Sequence, residues 1–366
     1  PPPPSDLCLF CLGAIGFVQT CKRDWKIYSE FPKETKKLAF DTIELNRNID
    51  ATNTSIYSFV PFHGTPLRKM CEELGLIKPE TITKCLTAET QLNMPQYPPH
   101  EIEEIRKCFS MYVKFPKNRW SEIEKAEKTH INGCLEDGQR QLLSSKLGLW
   151  SRIPSGIKDD WEKKILCFLD LFSFVETSDN FPSDDIKLLV AAEAALLVAK
   201  RSFEDYRFLR SIYIWEKQIP RQPGAHGMAS MREVHLSWKY LKKTIGNADD
   251  GKNLVLHEFA HVIDFSDDGK AQSIPVPKTS KDFKFWENLI AEMHKRIVNA
   301  HSASTKFPVR SYAGLQCDKG LTPEIFSCGT SAFFENGQSL QKECPDFYNA
   351  LSNFYGMNPA AWSKVI

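Results

Sequence analysis

The spacing of apolar and polar residues predicts a mixture of helices and strands in the first third of the chain. Residues 34–49 (ETKKLAFDTIELNRNI) are predicted to form a helix, and residues 55–62 (SIYSFVPF) a strand. Residues 63–77 (HGTPLRKMCEELGLI) predict a turn followed by a second helix. A strand, a Gly-Thr-Pro turn and a helix in succession are typical of a β/α layer.

The rest of the chain has longer helical segments. Residues 159–177 (DDWEKKILCFLDLFSFVET) and 183–203 are predicted helices, the second with Ser183 as its N-cap. Residues 208–217 and 232–238 are rich in aromatic and β-branched residues, so they are predicted strands. Together these patterns predict an α+β fold.

Three further helices are predicted towards the end of the chain. Asn253 is the expected N-cap of a helix that contains VLHEFAHVIDF (255–265). Thr322 and Pro323 are expected at the start of a helix over 322–334, because proline favours the first helical position. The segment CPDFYNALSNFYGMNP is expected to be helical up to Asn358-Pro359.

Two proline-containing stretches, NMPQYPPHE (93–101) and KFPKNRW (114–120), are predicted connectors. They divide the chain into two expected domains, residues 1–115 and residues 116–366.

Composition narrows the classes of function. The net charge of +1 gives no electrostatic case for binding nucleic acid or an anionic membrane. The 11 cysteines form no tight framework, which indicates reduced thiols in a cytoplasmic protein. Since the chain does not begin with methionine, we expect a fragment or a processed product. Its apolar residues 7–19 favour a buried strand or helix over a secretory signal, and the lone CxxC of Cys8 and Cys11 argues against a zinc ribbon.

The segment HEFAH is the strongest chemical signal. His257 and His261 are four residues apart, so a helix would place both imidazoles on one face, where they can bind one metal ion. Glu258 would then be turned towards an attacking water molecule and could take its proton. The alternative is a buried amphipathic helix with two hydrogen-bonded histidines and no metal.

A catalytic zinc ion needs a third protein ligand. The metzincin pattern is excluded, because it requires glycine and histidine where the chain has Asp264 and Asp267. Glu324 is the best candidate because it opens a predicted helix, although the helix dipole alone would favour an acidic residue there. Glu335 and Asp264 remain alternatives.

Residues 125–366 resemble the MtfA (Mlc titration factor A) group of zinc metallopeptidases. The similarity is carried by the blocks GMASMREVHLSWKYL, NLVLHEFAHVIDFSDDGKAQSIP, LVAAEAALLVAKRSFEDYRFLRSIYIW and TPEIFSCGTSAFFENGQSLQKECPDFYNALSNFYGMNP, which occur in the family's order. Two positions differ. Ser331 stands where a second glutamate is usual, and LQCDKG resembles extra loop between Tyr312 and Glu324.

This resemblance implies a zincin-like, gluzincin-like fold with Zn²⁺ bound by His257, His261 and Glu324. It implies Glu258 as general base and Tyr312 as a residue that could stabilise the oxyanion. It also implies that REVHLSW is the edge strand along which an extended peptide binds. His235 in this strand could face the cleft, although a surface histidine is the simpler expectation.

Residues 1–115 resemble the later half of a radical SAM barrel. FPKET, the helix that ends near LNR, and PFHGTPL match recurring features of those enzymes. The cluster signature CxxxCxxC is absent, because Pro4 precedes Cys8 and Cys11 where the first cysteine should be. We therefore expect a truncated β/α segment without a cluster.

The sequence thus predicts a zinc-dependent peptidase, an aminopeptidase by resemblance, that acts on a peptide or protein substrate. The first alternative is a metal-binding module that binds a transcriptional regulator, as the resemblance implies. The second alternative, drawn from residues 1–115 alone, is a remnant radical SAM enzyme.

Overall fold

The computed structural model describes residues 16–21, 24–29, 32, 34–48, 53–83, 90–220, 222, 224–266, 269–316 and 323–362. The chain divides into two compact units, residues 1–131 and residues 132–366. Cys8, Cys11, Asp267 and Thr322, which the sequence analysis singled out, lie outside the described residues.

The first unit contains a three-stranded sheet in the order β1-β2-β3, formed by β1 (Gly16–Cys21), β2 (Asp24–Ser29) and β3 (Asn53–Ser58). β2 pairs with β3 in parallel but with β1 in antiparallel. The described helices of this unit are α1 (Lys36–Arg47), α2 (Pro66–Glu73), α3 (Pro99–Lys114) and α4 (Trp120–Asn132). The succession of β3 and α2 matches the predicted β/α layer. The antiparallel β1 differs from the all-parallel arrangement of a β/α barrel.

Contacts of Trp120 and Arg47 explain why the first unit continues past residue 115. The Trp120 ring lies 5.6 Å from that of Phe40 and 5.5 Å from that of Tyr112. Arg47, at the end of α1, donates hydrogen bonds to the carbonyl oxygens of Tyr112, Val113 and Phe115 at the end of α3. These bonds satisfy carbonyl groups that a helix terminus leaves free.

The second unit surrounds a four-stranded sheet with helices. Its strands are β4 (Ser173–Val175), β5 (Ser211–Trp215), β6 (Gly227–Ala229) and β7 (Glu233–Ser237). Its described helices are α5 (Asp137–Lys146), α6 (Ser155–Leu171), α7 (Asp184–Leu197), α8 (Trp238–Thr244), α9 (Leu254–Phe265), α10 (Phe283–Ser302), α11 (Tyr312–Leu315), α12 (Ile325–Glu335), α13 (Gly337–Glu343) and α14 (Pro345–Tyr355).

The order of strands in this sheet is β4-β5-β7-β6, with β6 antiparallel to β7 and the other pairs parallel. The expectation that REVHLSW is the edge strand is therefore wrong. β7, which lies in that segment, is an internal strand, and the three-residue β6 covers it. Helix α9 packs against β6 and β7 on one side and against α7 and α12 elsewhere, so it lies at the centre of the unit.

Two predicted helices end earlier than expected. The helix predicted over 159–177 is observed as α6, which ends at Leu171. The residues after it form β4, which pairs with β5. The second, α7, ends at Leu197, and Ser183 occupies its N-cap position without a side-chain hydrogen bond. The helix expected from residue 322 begins at Ile325, so Pro323 precedes it and Glu324 takes the N-cap position.

The last predicted helix is observed as α14, and Gly356 ends it in the left-handed conformation (φ 66°) that glycine adopts without strain. Among the helices that the structure describes, none has the length and apolar character needed to span a bilayer. Six cysteines in the described part of the chain are free thiols: Cys71, Cys108, Cys134, Cys167, Cys328 and Cys344.

Candidate metal centre

Helix α9 places the two histidines of HEFAH on one face. Asn253 caps the helix as predicted, since its Oδ1 accepts a hydrogen bond of 3.0 Å from the backbone N–H of Leu256. The helix is buried over nearly its whole length, which its apolar residues on every face explain. The rings of His257 and His261 lie 4.8 Å apart between centroids, and each residue is 7% exposed.

Glu324 reaches both histidines from the segment that precedes α12. Its Oε2 lies 3.1 Å from Nε2 of His257 and 3.3 Å from Nε2 of His261. The structure therefore brings together the three residues that the sequence analysis predicted as metal ligands. Their converging atoms are two imidazole nitrogens and one carboxylate oxygen, a donor set that zinc favours.

Asp264 holds the end of α9 close to the start of α12 through hydrogen bonds to backbone groups. Its Oδ2 accepts hydrogen bonds of 2.8 Å from the backbone N–H groups of Gln272 and Ser273. The buried Ser273 Oγ in turn accepts a 3.0 Å bond from the backbone N–H of Phe326. This chain of contacts positions the segment that carries Glu324, which suits Asp264 to a structural role.

Glu335 is also engaged elsewhere, at the other end of α9. It accepts hydrogen bonds from Nδ2 of Asn253 (3.1 Å) and from the backbone N–H of Lys252 (3.0 Å). Glu193 of α7 accepts from the same Asn253 amide. Ser331, at the position where a glutamate is usual, donates to the carbonyl oxygen of Asn253 (3.1 Å). These four side chains fix the first turn of α9.

Glu258 lies against the edge strand β6. It is 6% exposed, and burial raises its pKa to about 7. A Cβ atom added at Gly227 would come within 2.3 Å of Glu258 Oε1. Only glycine therefore allows the strand backbone to approach the carboxylate this closely.

Burial and the shared carboxylate set the charges of the His257, His261 and Glu324 cluster. Burial lowers the pKa of His257 to about 4, an effect that its hydrogen bond with Glu324 only partly offsets. For His261, burial acts in the same direction, but the Glu324 hydrogen bond and nearby carboxylates outweigh it and raise the pKa. For Glu324, burial is outweighed by both histidines, which hold its pKa well below the usual range. The cluster thus keeps Glu324 ionised and ready to bind a cation.

Two further side chains lie behind His257. Cys328 Sγ is 3.8 Å from His257 Nδ1, and Arg310 Nη2 is 3.5 Å from that nitrogen and 3.4 Å from the sulfur. Burial raises the pKa of the Cys328 thiol to about 11. The metal-binding atoms of His257, Glu324 and Cys328 all lie within 4.8 Å of one another. Cys328, however, faces Nδ1 whereas Glu324 faces Nε2, so His261 completes the converging set better than Cys328 does.

Tyr312 and His235 have different surroundings. Tyr312 is 44% exposed and its ring centroid is 5.6 Å from Cζ of Arg310. Burial and then the charge of Glu324 raise the pKa of Tyr312, which places its phenol in the field of the cluster. The expectation that His235 is a surface residue is wrong, because it is only 6% exposed. Its ring stacks on that of Tyr213 at 4.5 Å and accepts a hydrogen bond from Trp215 Nε1.

Sequence reasoning missed Gly227, Cys328 and Arg310. Cys328 is four residues after Glu324, so helical spacing could have indicated that both lie on one face. Gly227 and Arg310 carry no comparable local signal, because their contacts with Glu258 and His257 join distant parts of the chain.

Comparison with known proteins agrees with this geometry. The family model of the glucose-regulated metallo-peptidases M90 matches residues 118–356, a match that covers the whole site. The match indicates a metallopeptidase-like protein. The chain belongs to the M90 family, and this membership implies a metal centre and a peptide or protein substrate.

Individual relatives cover different shares of the chain. An uncharacterized protein of Synechocystis sp. is 23% identical over 250 residues, which are 64% of this chain and 88% of that protein. Mlc titration factor A of Yersinia pestis and that of Yersinia pseudotuberculosis are each 26% identical over 132 residues. This similarity covers 36% of this chain and 46% of those proteins, so the chain matches less than half of their length.

Proposed function

We propose that this protein is a zinc-dependent peptidase in which His257, His261 and Glu324 hold the metal. The convergence of two Nε2 atoms on Glu324 Oε2, at 3.1 and 3.3 Å, carries this proposal. Two ligand atoms each about 2.0–2.1 Å from a tetrahedral zinc ion stand roughly 3.3 Å apart. The three side chains could therefore bind zinc with little movement.

Glu258 is the general base of the proposed reaction. Zinc bound by this cluster would polarise the substrate carbonyl and make a water molecule more acidic. Glu258 accepts the proton of the attacking water and passes it to the leaving amine. Burial raises the pKa of this carboxyl, which favours its uptake of the proton. In this proposal Tyr312 donates its phenolic hydrogen to the developing oxyanion, a role supported by the influence of burial and of Glu324 on its pKa.

The edge strand β6 supports a peptide as the substrate. β6 is the last strand of this sheet among the described residues, and a Cβ atom added at its Gly227 would meet the Glu258 carboxylate. An extended peptide that pairs with such an edge would lay its backbone along the metal centre. We further propose that the enzyme is an aminopeptidase, which requires that blocking the substrate's amino group abolish cleavage.

Replacement of Glu258 by Gln tests the proposed function. The variant should lose at least about 100-fold in kcat on peptide substrates, because it keeps the side-chain shape but cannot take a proton. It should retain zinc, measured by mass spectrometry, since Glu258 is not a ligand. Glu343→Gln, the same change at an exposed position, is the matched control. Equal activity in the two variants would contradict the proposed role of Glu258.

The similarity to Mlc titration factor A favours a second candidate, a module that binds a transcriptional regulator. Zinc-loaded protein that captures a purified regulator but cleaves no peptide would support this candidate. A remnant radical SAM enzyme remains a third hypothesis, for residues 1–115. Absence of iron and labile sulfide from anaerobically purified protein would exclude it.

A further inference from the structure

The guanidinium of Arg310 lies beside the proposed metal site. Arg310 precedes α11, and its Nη2 approaches His257 Nδ1 and Cys328 Sγ at 3.5 and 3.4 Å. Nδ1 and Nε2 are on opposite edges of the imidazole, and Nε2 is the nitrogen that faces Glu324. The His257 ring thus lies between the guanidinium of Arg310 and the atoms that converge on Glu324 Oε2.

Arg310 has no carboxylate partner among the residues that the structure describes. Its side chain contacts the His257 imidazole, the Cys328 thiol and the Tyr312 ring, none of which bears a formal negative charge. Its buried Nε has no hydrogen-bond partner among the residues that the structure describes. By contrast, three other arginines are each paired with an acid: Arg68 with Glu72, Arg119 with Glu122, and Arg201 with Asp205. Glu324 attracts the guanidinium through space but forms no ion pair with it. An anionic ligand in direct contact would supply the hydrogen bonds to a carboxylate that Arg310 lacks.

A cavity next to Arg310 is lined by basic and neutral residues. It has a volume of about 350 Å³ and lies between the end of α10 and the loop that leads to α11. Arg310 lines it together with His301, Lys306 and the hydroxyl residues Ser304, Thr305 and Ser311, and no aspartate or glutamate contributes to its lining. A cavity of this size accommodates a side chain or the end of a peptide.

We propose that Arg310 forms a subsite for a carboxylate of the peptide substrate, with Lys306 as a second positive charge. The inference rests on the proposed peptidase function and narrows its substrate class to peptides with a carboxylate near the scissile bond. A guanidinium binds a carboxylate through two parallel N–H···O bonds, which fixes the orientation of the peptide as well as its affinity. The carboxylate comes either from an acidic side chain or from the C-terminus.

Binding to the zinc-loaded Glu258→Gln protein tests this proposal without relying on hydrolysis. Three hexapeptides serve as probes: a neutral peptide with an amidated C-terminus, the same peptide with one aspartate, and the neutral peptide with a free C-terminus. We expect at least one carboxylate peptide to bind about 10-fold more tightly than the neutral amide. The peptide with this preference identifies the source of the carboxylate.

Arg310→Gln, added to the Glu258→Gln protein, should bind the preferred carboxylate peptide and the neutral amide with about equal affinity. Arg310→Lys should leave an intermediate preference for the carboxylate peptide. Lys342→Gln removes one positive charge at an exposed position and should leave this preference unchanged. Retained zinc shows that each variant is folded at the site. The proposal is overturned if the parent protein shows no preference, or if Arg310→Gln keeps the full preference. Failure of the wild-type enzyme to cleave peptides would instead count only against the proposed function.

Discussion

At the scale of single residues, the site depends on close approaches between distant parts of the chain. The HEFAH spacing correctly predicted that His257 and His261 share one face, because helical periodicity is a local property. The proximity of Glu324 was also predicted, with the help of a family resemblance. The contact of Gly227 with Glu258 could not be predicted, since it depends on how β6 is placed against α9.

Gly227→Ala should reduce turnover without releasing the metal. The added methyl group would meet the Glu258 carboxylate at 2.3 Å, so the carboxylate has to move from its position. We expect kcat to fall by about 10-fold or more, because small displacements of a catalytic group are expensive. Steady-state kinetics and zinc analysis of the purified variant measure both effects.

Gly138→Ala is the matched control, because a Cβ atom there meets nothing within 4 Å. It should leave kcat and zinc content unchanged. Wild-type kcat in Gly227→Ala would show that the position of the carboxylate does not depend on this glycine.

At the scale of elements, helices and strands of strong periodicity were predicted and their ends were not. α7, α9 and α14 occur where apolar spacing placed them. The end of α6 was missed because the residues after it form β4 and pair with β5. The internal position of β7 was missed because it depends on pairing with the short strand β6. Tertiary hydrogen bonding overrode the local helix signal in the first case.

Three elements are joined at the N-terminus of α9 by buried polar groups. The Asn253 amide donates to Glu193 of α7 and to Glu335 of α12. Burial raises the pKa of Glu335 to about 8, and Glu193 is raised in the same direction by burial. Glu335 therefore favours the protonated form in the folded protein near neutral pH.

This network predicts how stability depends on pH. Burial in the folded state raises the pKa of Glu335 from 4.5 to about 8. Between these two pH values the folded protein binds a proton that the unfolded chain has lost. The free energy of unfolding therefore falls as pH rises from about 4.5 to about 8. Glu335→Gln cannot titrate, so its stability relative to wild type should increase between pH 5 and pH 8, by on the order of 2–4 kcal/mol. Urea unfolding of the metal-free proteins at pH 5, 6.5 and 8 measures the difference.

Glu193 still titrates in the variant, so part of the pH dependence should remain. Glu343→Gln, at an exposed position, controls for loss of a carboxylate and should follow the wild-type curve. Parallel curves for wild type and Glu335→Gln over this range would contradict the assignment of Glu335 as a buried, protonated carboxyl.

At the scale of the whole molecule, the chain has two units and all of the candidate site lies in the second. The family match begins at residue 118, and His257, Glu258, His261 and Glu324 all follow residue 132. The sequence predicted two domains from proline-containing connectors. Proline spacing does not reveal that Trp120 packs against the rings of Phe40 and Tyr112 within the first unit, so it could not locate the division near residue 131.

The central claim is that two histidines and Glu324 together bind one zinc ion. Its most direct test is the zinc content per chain, by mass spectrometry, of purified wild type, Glu324→Ala and the exposed-site control Glu343→Ala. We expect about one zinc per chain in wild type and in the control, and loss of most of it in Glu324→Ala, because two histidines alone bind zinc weakly. Full zinc in Glu324→Ala, or none in wild type after reconstitution, would contradict the claim.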